Sequence, residues 1–442
     1  MRKLFEPYHI KNLVLKVLAS TSWRHILTLF SGSFLAQAFA VALMPVIARL
    51  YLPEEFGITG VFMASIAVLV VVINGGYEWA IMLPQHTVEA HRLLLLSLLI
   101  TLLGSFFVLG MGWLCGAALL QLIKTPQLLG WHLLIPLSLA LEGICQALRV
   151  SLNRNQQYKG LSLSKVARSI VQATLSLFLG IYGMGFEGLI YGFIFGQLAC
   201  SLVLIYGYIR WFFQQNFDFF QQGLAATARQ YKDFPRFSVL SSWLNTASKH
   251  LPFFILPVLF SQEINGQFSQ ADRILTLPVV LLSMSIGQVF FEQASKAKQE
   301  SRQALATITK KTFRQLVFLA IPFLLISMLF APFLFSFVLG EEWRLAGEYA
   351  RWLSPWMAMA FVTSPLAFLI DIQRKLKAYL LLNLALFIVR LMVLLMGGYF
   401  LTDIHTMIIY GFCSMLIVGG QLIYLLRIGA YWKWDDEKLV QM

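Results

Sequence analysis

The sequence predicts an all-α integral membrane protein of about twelve transmembrane helices arranged as two six-helix lobes. Three observations carry that reading. Apolar residues make up 58% of the 442 residues and charged residues 12%, against about 45–50% and about 25% in soluble domains. Twelve apolar windows recur along the chain, each near the ~20 residues needed to cross ~30 Å of hydrocarbon. The longest polar interruption, 210–236, falls after the sixth of them.

In order, the windows lie near 26–48, 58–83, 93–117, 131–150, 165–184 and 186–209, then 237–260, 273–294, 314–338, 351–371, 379–400 and 404–426. The expected organisation is a cytoplasmic N-terminal segment (1–25), an N-lobe (26–209), a cytoplasmic linker (210–236), a C-lobe (237–426) and a cytoplasmic tail (427–442). A 6 + 6 plan of this kind is common among transporters built from repeats. Direct repeat evidence is slight: each half opens with a span and a short outer loop ending in glycine, Gly57 and Gly266.

The net charge of +13 reads as topology rather than as affinity for nucleic acid. Of 34 Lys and Arg, 27 fall at the N-terminus, the even-numbered loops and the C-terminus. The odd-numbered loops hold five: Arg49, Lys124, Arg273, Arg344 and Arg351. By the positive-inside rule both termini face the cytoplasm. Arg2, Lys3, Lys11 and Lys16 precede a long first span without a small-residue cleavage site, so no removable leader is read. Four cysteines at unrelated spacings give no disulfide framework and no metal motif.

Charge at mid-span is costly and marks a path or an internal pair. Ser242, Asn245 and Lys249 share one face of the seventh span, followed by Pro252 and Pro257, which favour a kink. Asn74 and Glu78 share a face of the second span beside Gly75–Gly76, as Ser33 and Gln37 do on the first. Further candidates are Glu142, Gln146 and Arg149 on span four, Arg168 and Gln172 on span five, and Asn383 and Arg390 on span eleven. Two readings stand for several of these. Lys249 either lines a cavity or pairs with Glu78 or Glu142. Glu142 either couples to an ion or sits protonated in a helix contact, and Arg390 lines the cavity or pairs internally. Arg149, Arg154, Lys159, Lys165 and Arg168 either anchor the cytoplasmic face or join the cavity. His250 points away from Lys249 and reads as packing. No phosphate loop, nucleophile elbow or paired metal ligands occur, so neither catalysis, a cofactor nor a metal is expected.

Seven stretches give the chain a familiar outline: "RLYLPEEFG" (49–57), "NGGYEWAIMLP" (74–84), "ALRVSLNRNQQY" (147–158), "YKDFPRFS" (231–238), "GQFSQADRI" (266–274), "SIGQVFFEQAS" (285–295) and "LGEEWRLAGEYARWLSPW" (339–356). Each is loose alone. Together, in order, they resemble the oligosaccharide flippases of the multidrug/oligosaccharidyl-lipid/polysaccharide exporter superfamily. The resemblance implies a V-shaped fold, with a cavity lined by spans one, two, seven and eight. On that template Gln37, Glu78, Asn245, Lys249 and Arg273 are the lining residues, and Arg149, Arg168 and Arg390 extend the basic set. Glu78 and Glu142 are the candidates for ion coupling.

The implied activity is translocation of an undecaprenyl-pyrophosphate-linked O-antigen, capsule or exopolysaccharide unit across the bacterial inner membrane, by alternating access. The implied partners are the lipid-linked oligosaccharide, membrane lipids, a polysaccharide polymerase and a chain-length regulator, with no nucleic acid. Twelve spans instead of the fourteen usual in peptidoglycan-precursor flippases, and a first span without their arginines, favour O-antigen or capsule units. Rival classes are a cation-coupled drug antiporter of the same superfamily, and a polymerase-type membrane enzyme. A cation site would want unpaired mid-span acids, and an enzyme would want a large outer loop. The chain offers neither.

Overall fold

The computed structural model describes residues 21–213, 224–231, 239–373 and 375–430. Most of the expected N-terminal segment, parts of the 210–236 linker, most of "YKDFPRFS" and most of the C-terminal tail lie outside these residues, and 21–25 begin the first helix.

Twelve long helices among the described residues correspond one for one to the expected spans. They are α1 (Thr21–Leu50), α2 (Pro53–Ile73), α4 (Thr87–Leu122), α5 (Ile135–Arg154), α6 (Tyr158–Ile181) and α7 (Phe186–Phe212). After the linker come α9 (Val239–Leu259), α10 (Gln262–Glu300), α11 (Arg302–Leu339), α12 (Arg344–Leu366), α14 (Leu376–Phe400) and α15 (Asp403–Ile428). Short helices α3 (Tyr77–Ala80), α8 (Leu224–Gln230) and α13 (Phe368–Gln373) lie between them. Among the described residues eight segments are long and apolar enough to cross a membrane, and α1 adds the shorter apolar stretch Phe34–Leu50. The chain is thus an all-α, multi-pass membrane protein. The helices outside these nine, α6, α9 and α10, are the ones that carry Arg168, Lys249 and Asp272–Arg273.

The helix ends depart from the sequence reading in three places. The second window ran to residue 83, but α2 stops at Ile73. Gly75 and Gly76 take left-handed backbone (φ 62° and 73°), which glycine adopts without penalty, and Glu78 falls on α3 beyond the spanning helix. The basic stretch 295–313, expected as a loop, is helix except for Ser301. Its Lys, Gln, Ala and Glu are good helix formers, and the Ser301 hydroxyl caps α11 by accepting from Ala304 N at 3.0 Å. Gly57 and Gly266 end no loops: both lie inside helices, where the backbones of α2 and α10 touch. A Cβ on Gly57 would sit 2.0 Å from the Gln262 carbonyl oxygen, and one on Gly266 would sit 1.7 Å from that of Pro53. Asn265 Nδ2 donates to the Gly57 carbonyl at 2.8 Å across the same crossing. Pro252 and Pro257 lie inside α9 without ending it.

The chain forms two compact units. The first comprises Met1–Leu50, Leu69–Gly116 and Gly130–Val239; the second comprises Tyr51–Val68, Ala117–Leu129 and Leu240–Met442. In the first, Tyr77, Ala80, Ile81, Leu93, Leu94, Leu148, Leu152 and Leu204 form the core. In the second, Phe290, Leu316, Phe361, Leu366, Leu369 and Leu425 do so. Large apolar side chains stand exposed along α4 (Phe106, Phe107, Trp113) and α11 (Phe318, Phe333, Phe337). On a membrane protein this is the surface that meets lipid tails.

Candidate functional site

In the first unit the charged residues converge on Glu142. This residue and Arg149 stand seven apart on α5, about two helical turns, and so share a face. Arg149 Nη2 donates to Glu142 Oε1 at 2.7 Å, and Arg168 Nη1, from α6, donates to Oε2 at 2.6 Å. Gln197 Nε2 on α7 adds a bond to Oε2 at 3.3 Å. Arg168 also lies 5.6 Å from the Phe193 ring. Two guanidiniums and one carboxylate leave a net positive charge on α5 and α6, with the neutral Gln197 of α7 beside it. Charge-assisted bonds to a largely buried carboxylate are among the stronger side-chain interactions.

Glu142 is therefore an ion-paired group and no protonated carboxyl at a quiet contact; its partners are Arg149 and Arg168, not Lys249. Those two arginines, read from sequence chiefly as cytoplasmic anchors, hold a carboxylate within the helix bundle. Arg154 does serve the loop, donating to the carbonyls of Ile81 (3.1 Å) and Pro84 (2.5 Å).

Asn74 closes α2 against its neighbours. Its amide donates to Gly143 O at 3.3 Å and to Gln146 Oε1 at 3.4 Å, and it accepts from the Thr101 hydroxyl. Glu78, four residues on, is 3% exposed and its Oε2 has no hydrogen-bond partner. Burial pushes its carboxyl up from 4.5 to about 7, against a smaller opposing effect of a backbone hydrogen bond. Gln37 is half-buried on α1.

The second unit holds Asn245, Lys249, Arg273 and Arg390. The polar stripe of α9 faces outward: Ser242 and Lys249 are exposed and Asn245 half-buried, while Leu244, Ala247 and Ser248 on the opposite face are buried. Arg273, on α10, is also exposed. His250 packs its ring 5.6 Å from that of Phe253. Arg390 lies in the packed interior, 1% exposed. Its Nε donates to Ser414 Oγ at 3.0 Å and its Nη1 to Ser248 Oγ at 3.2 Å. Its guanidinium carbon sits 4.4 Å from the Trp356 ring centroid and 5.4 Å from that of Tyr410. Hydroxyls and ring faces thus do here what a carboxylate does in the first unit.

The group that sequence reasoning missed is Asp272, which was counted with an outer loop. It lies on α10 ten residues past the first, about 15 Å along the helix, and it interacts electrostatically with Lys249 and Arg390. Among the described residues no set of three His, Cys, Asp or Glu is placed to hold a metal ion.

The fold has solved counterparts. An inward-facing multidrug resistance MATE family transporter of the MOP superfamily superposes with TM-score 0.70 at 17% identity, covering 91% of this chain and 95% of that one. An outward-facing MATE family transporter gives 0.65 at 14% identity, covering 93% and 96%. A MOP superfamily transporter from Pyrococcus furiosus, described by the reverse polarity of its binding pocket, gives 0.64 at 14%, covering 92% and 96%. No curated protein matches the chain in sequence. Residues 46–347 match the model of the family described as polysaccharide biosynthesis protein. That match spans well over half of the chain, so this protein, built on the MOP transporter fold, belongs to the polysaccharide biosynthesis family.

Proposed function

We propose that the protein is a flippase that moves an undecaprenyl-pyrophosphate-linked oligosaccharide, an O-antigen or capsule/exopolysaccharide unit, from the cytoplasmic to the outer leaflet of the bacterial inner membrane. Both termini face the cytoplasm, and the two lobes open alternately to either side. The observation that carries this reading is Lys249: a cation on the exposed polar stripe of α9, in a multi-pass membrane protein of the polysaccharide biosynthesis family. A compact ammonium suits a phosphate as a point charge, and its three donors adapt to a rotating headgroup. In the same unit Asn245 adds hydrogen bonding and Arg273 further positive charge.

The superfamily alternative, a drug/cation antiporter, draws support from the MATE neighbours. The balance of charge opposes it, because Asp272 interacts with two cations, Lys249 and Arg390. The Pyrococcus furiosus relative, whose reversed pocket polarity suggests a different function for it, is a precedent for this fold carrying more than one polarity.

The test is transport in proteoliposomes carrying a lipid-linked oligosaccharide, with outer-leaflet sugar read by lectin binding. Lys249→Ala is expected to abolish transport, with Lys249→Arg keeping part of it. Wild-type protein that moves a cationic dye but no oligosaccharide lipid overturns the proposal. Reporter fusions after residues 55 and 265 are expected on the outer face, and fusions after 225 and 305 on the inner. An inner signal at 265 overturns the topology.

A further inference from the structure

We propose that Asp272 is the internal counter-ion of Lys249, a carboxylate that an anionic headgroup displaces and that takes up a proton when displaced. The inference rests on the reading of a diphosphate-bearing substrate and assigns a residue to its coupling.

The geometry comes from the antiparallel pair α9 and α10, joined by a turn at Ser261, whose hydroxyl caps α10 by accepting from Ile264 N at 3.1 Å. The rings of Phe253 on α9 and Phe268 on α10 meet edge to face at 5.3 Å. One turn back from Phe253 is Lys249, and one turn on from Phe268 is Asp272. Residues four apart share a helix face, so the register that joins the two rings also sets Lys249 opposite Asp272. A second anchor fixes the other cation: Arg390 donates to Ser248, the residue before Lys249, at 3.2 Å.

Asp272, Lys249 and Arg390 all interact electrostatically with one another. None forms an ion pair within 4.0 Å with another charged group among the described residues, so the carboxylate is shared rather than locked. The groups that interact with it electrostatically are Lys249 from α9, Arg390 from α14 and the Tyr410 hydroxyl from α15, and Arg273 is its neighbour in the chain.

The arrangement is short of negative charge. Two cations share one carboxylate, and the buried Tyr410 hydroxyl has no hydrogen-bond partner. The cations differ in access: Lys249 is exposed, whereas Arg390 is sealed behind Trp356 and Tyr410. An incoming diphosphate meets Lys249 first and brings more negative charge than Asp272 supplies. The diphosphate competes with Asp272 for Lys249, and the carboxylate that it displaces takes a proton from the open aqueous side. Release of the headgroup returns the carboxylate to Lys249 and discharges that proton on the side then open. Arg390 acts as a positioning residue, holding positive potential behind the pair without touching the ligand.

Two measurements on the purified full-length protein test this. The first needs no ligand: thermal unfolding of wild type, Lys249→Gln, Asp272→Asn and the double variant. Coupling predicts that the double variant is more stable than the two single effects added, and strict additivity overturns the counter-ion assignment. The second adds farnesyl diphosphate in weak buffer with a pH indicator. Wild type is expected to take up about one proton per diphosphate bound, with affinity falling as pH rises. Asp272→Asn is expected to bind without proton uptake and without that pH slope. Lys249→Gln is expected to lose about tenfold or more in affinity. Asp272→Asn that keeps wild-type proton uptake overturns the exchange. Wild type that binds no diphosphate, in a protein whose double-variant coupling is intact, overturns the substrate reading and leaves the counter-ion assignment standing.

Discussion

The two units meet the same difficulty, charge placed among membrane helices, with opposite chemistry. In the first, Glu142 engages two guanidiniums directly at 2.7 and 2.6 Å, and a third helix contributes Gln197. In the second, Arg390 is buried on two serine hydroxyls and two aromatic faces with no direct carboxylate. The first arrangement is locked by mutual dependence, since each group justifies the burial of the others. The second leaves positive charge unspent beside the exposed Lys249. The locked cluster reads as a clasp across α5, α6 and α7, and the unspent one is where we propose that an anion is received.

The largest expected effect breaks the clasp. Glu142→Gln removes the one carboxylate and leaves two cations facing each other, which costs about 3–5 kcal/mol for a broken buried pair. Thermal unfolding in detergent measures it, and Arg168→Met added to Glu142→Gln should restore part of the loss. A smaller effect is expected in the second unit. Arg390→Met gives up two charge-assisted bonds and the ring contacts but also removes a desolvated charge, so the net loss should stay below about 2 kcal/mol. If Arg390→Met proves as damaging as Glu142→Gln, the contrast between a mutual lock and a tolerated lone charge collapses.

The smallest effect concerns Glu78, the buried carboxyl that belongs to neither arrangement. Its ordinary value of 4.5 is raised to about 7 by burial. The folded protein therefore binds this proton more readily than the unfolded chain does. The associated stability is fully present below about 4.5 and fades as pH rises through 7. Melting temperature in wild type should accordingly decline between pH 5 and 8 more than in Glu78→Gln, which cannot titrate. Parallel pH profiles for the two proteins would show that Glu78 stays in one protonation state. A coupling role for Glu78 further requires that Glu78→Gln lose the pH dependence of transport while still binding substrate.

Much of the fold was legible because a bilayer imposes a length: each of the twelve apolar windows became a helix, and even the short separations at Tyr182–Gly185 and Leu401–Thr402 hold. Helix ends were less legible, since hydropathy reports where lipid stops and not where hydrogen bonding stops. That is why 295–313 read as a loop although its residues favour helix. Of the proposed site, the shared face of Lys249 and Asn245 was legible, because their i, i+4 spacing is local. That site was not legible at Asp272, whose meaning depends on the register between α9 and α10. The Glu142 clasp lies between these cases. Arg149 on the same face was visible in the spacing, but Arg168, 26 residues away, becomes a partner only once α5 and α6 are packed.

The meeting of α10 and α11 at Ser301 has a practical side. At 39 and 38 residues, each is about 57–59 Å long, nearly twice the hydrocarbon thickness. Small transporters are hard to image because detergent hides every feature that could orient a particle. A helical pair longer than the lipid is thick offers a natural point for splicing in a bulky marker, and Ser301, exposed and already a break between the helices, is the residue at which to cut.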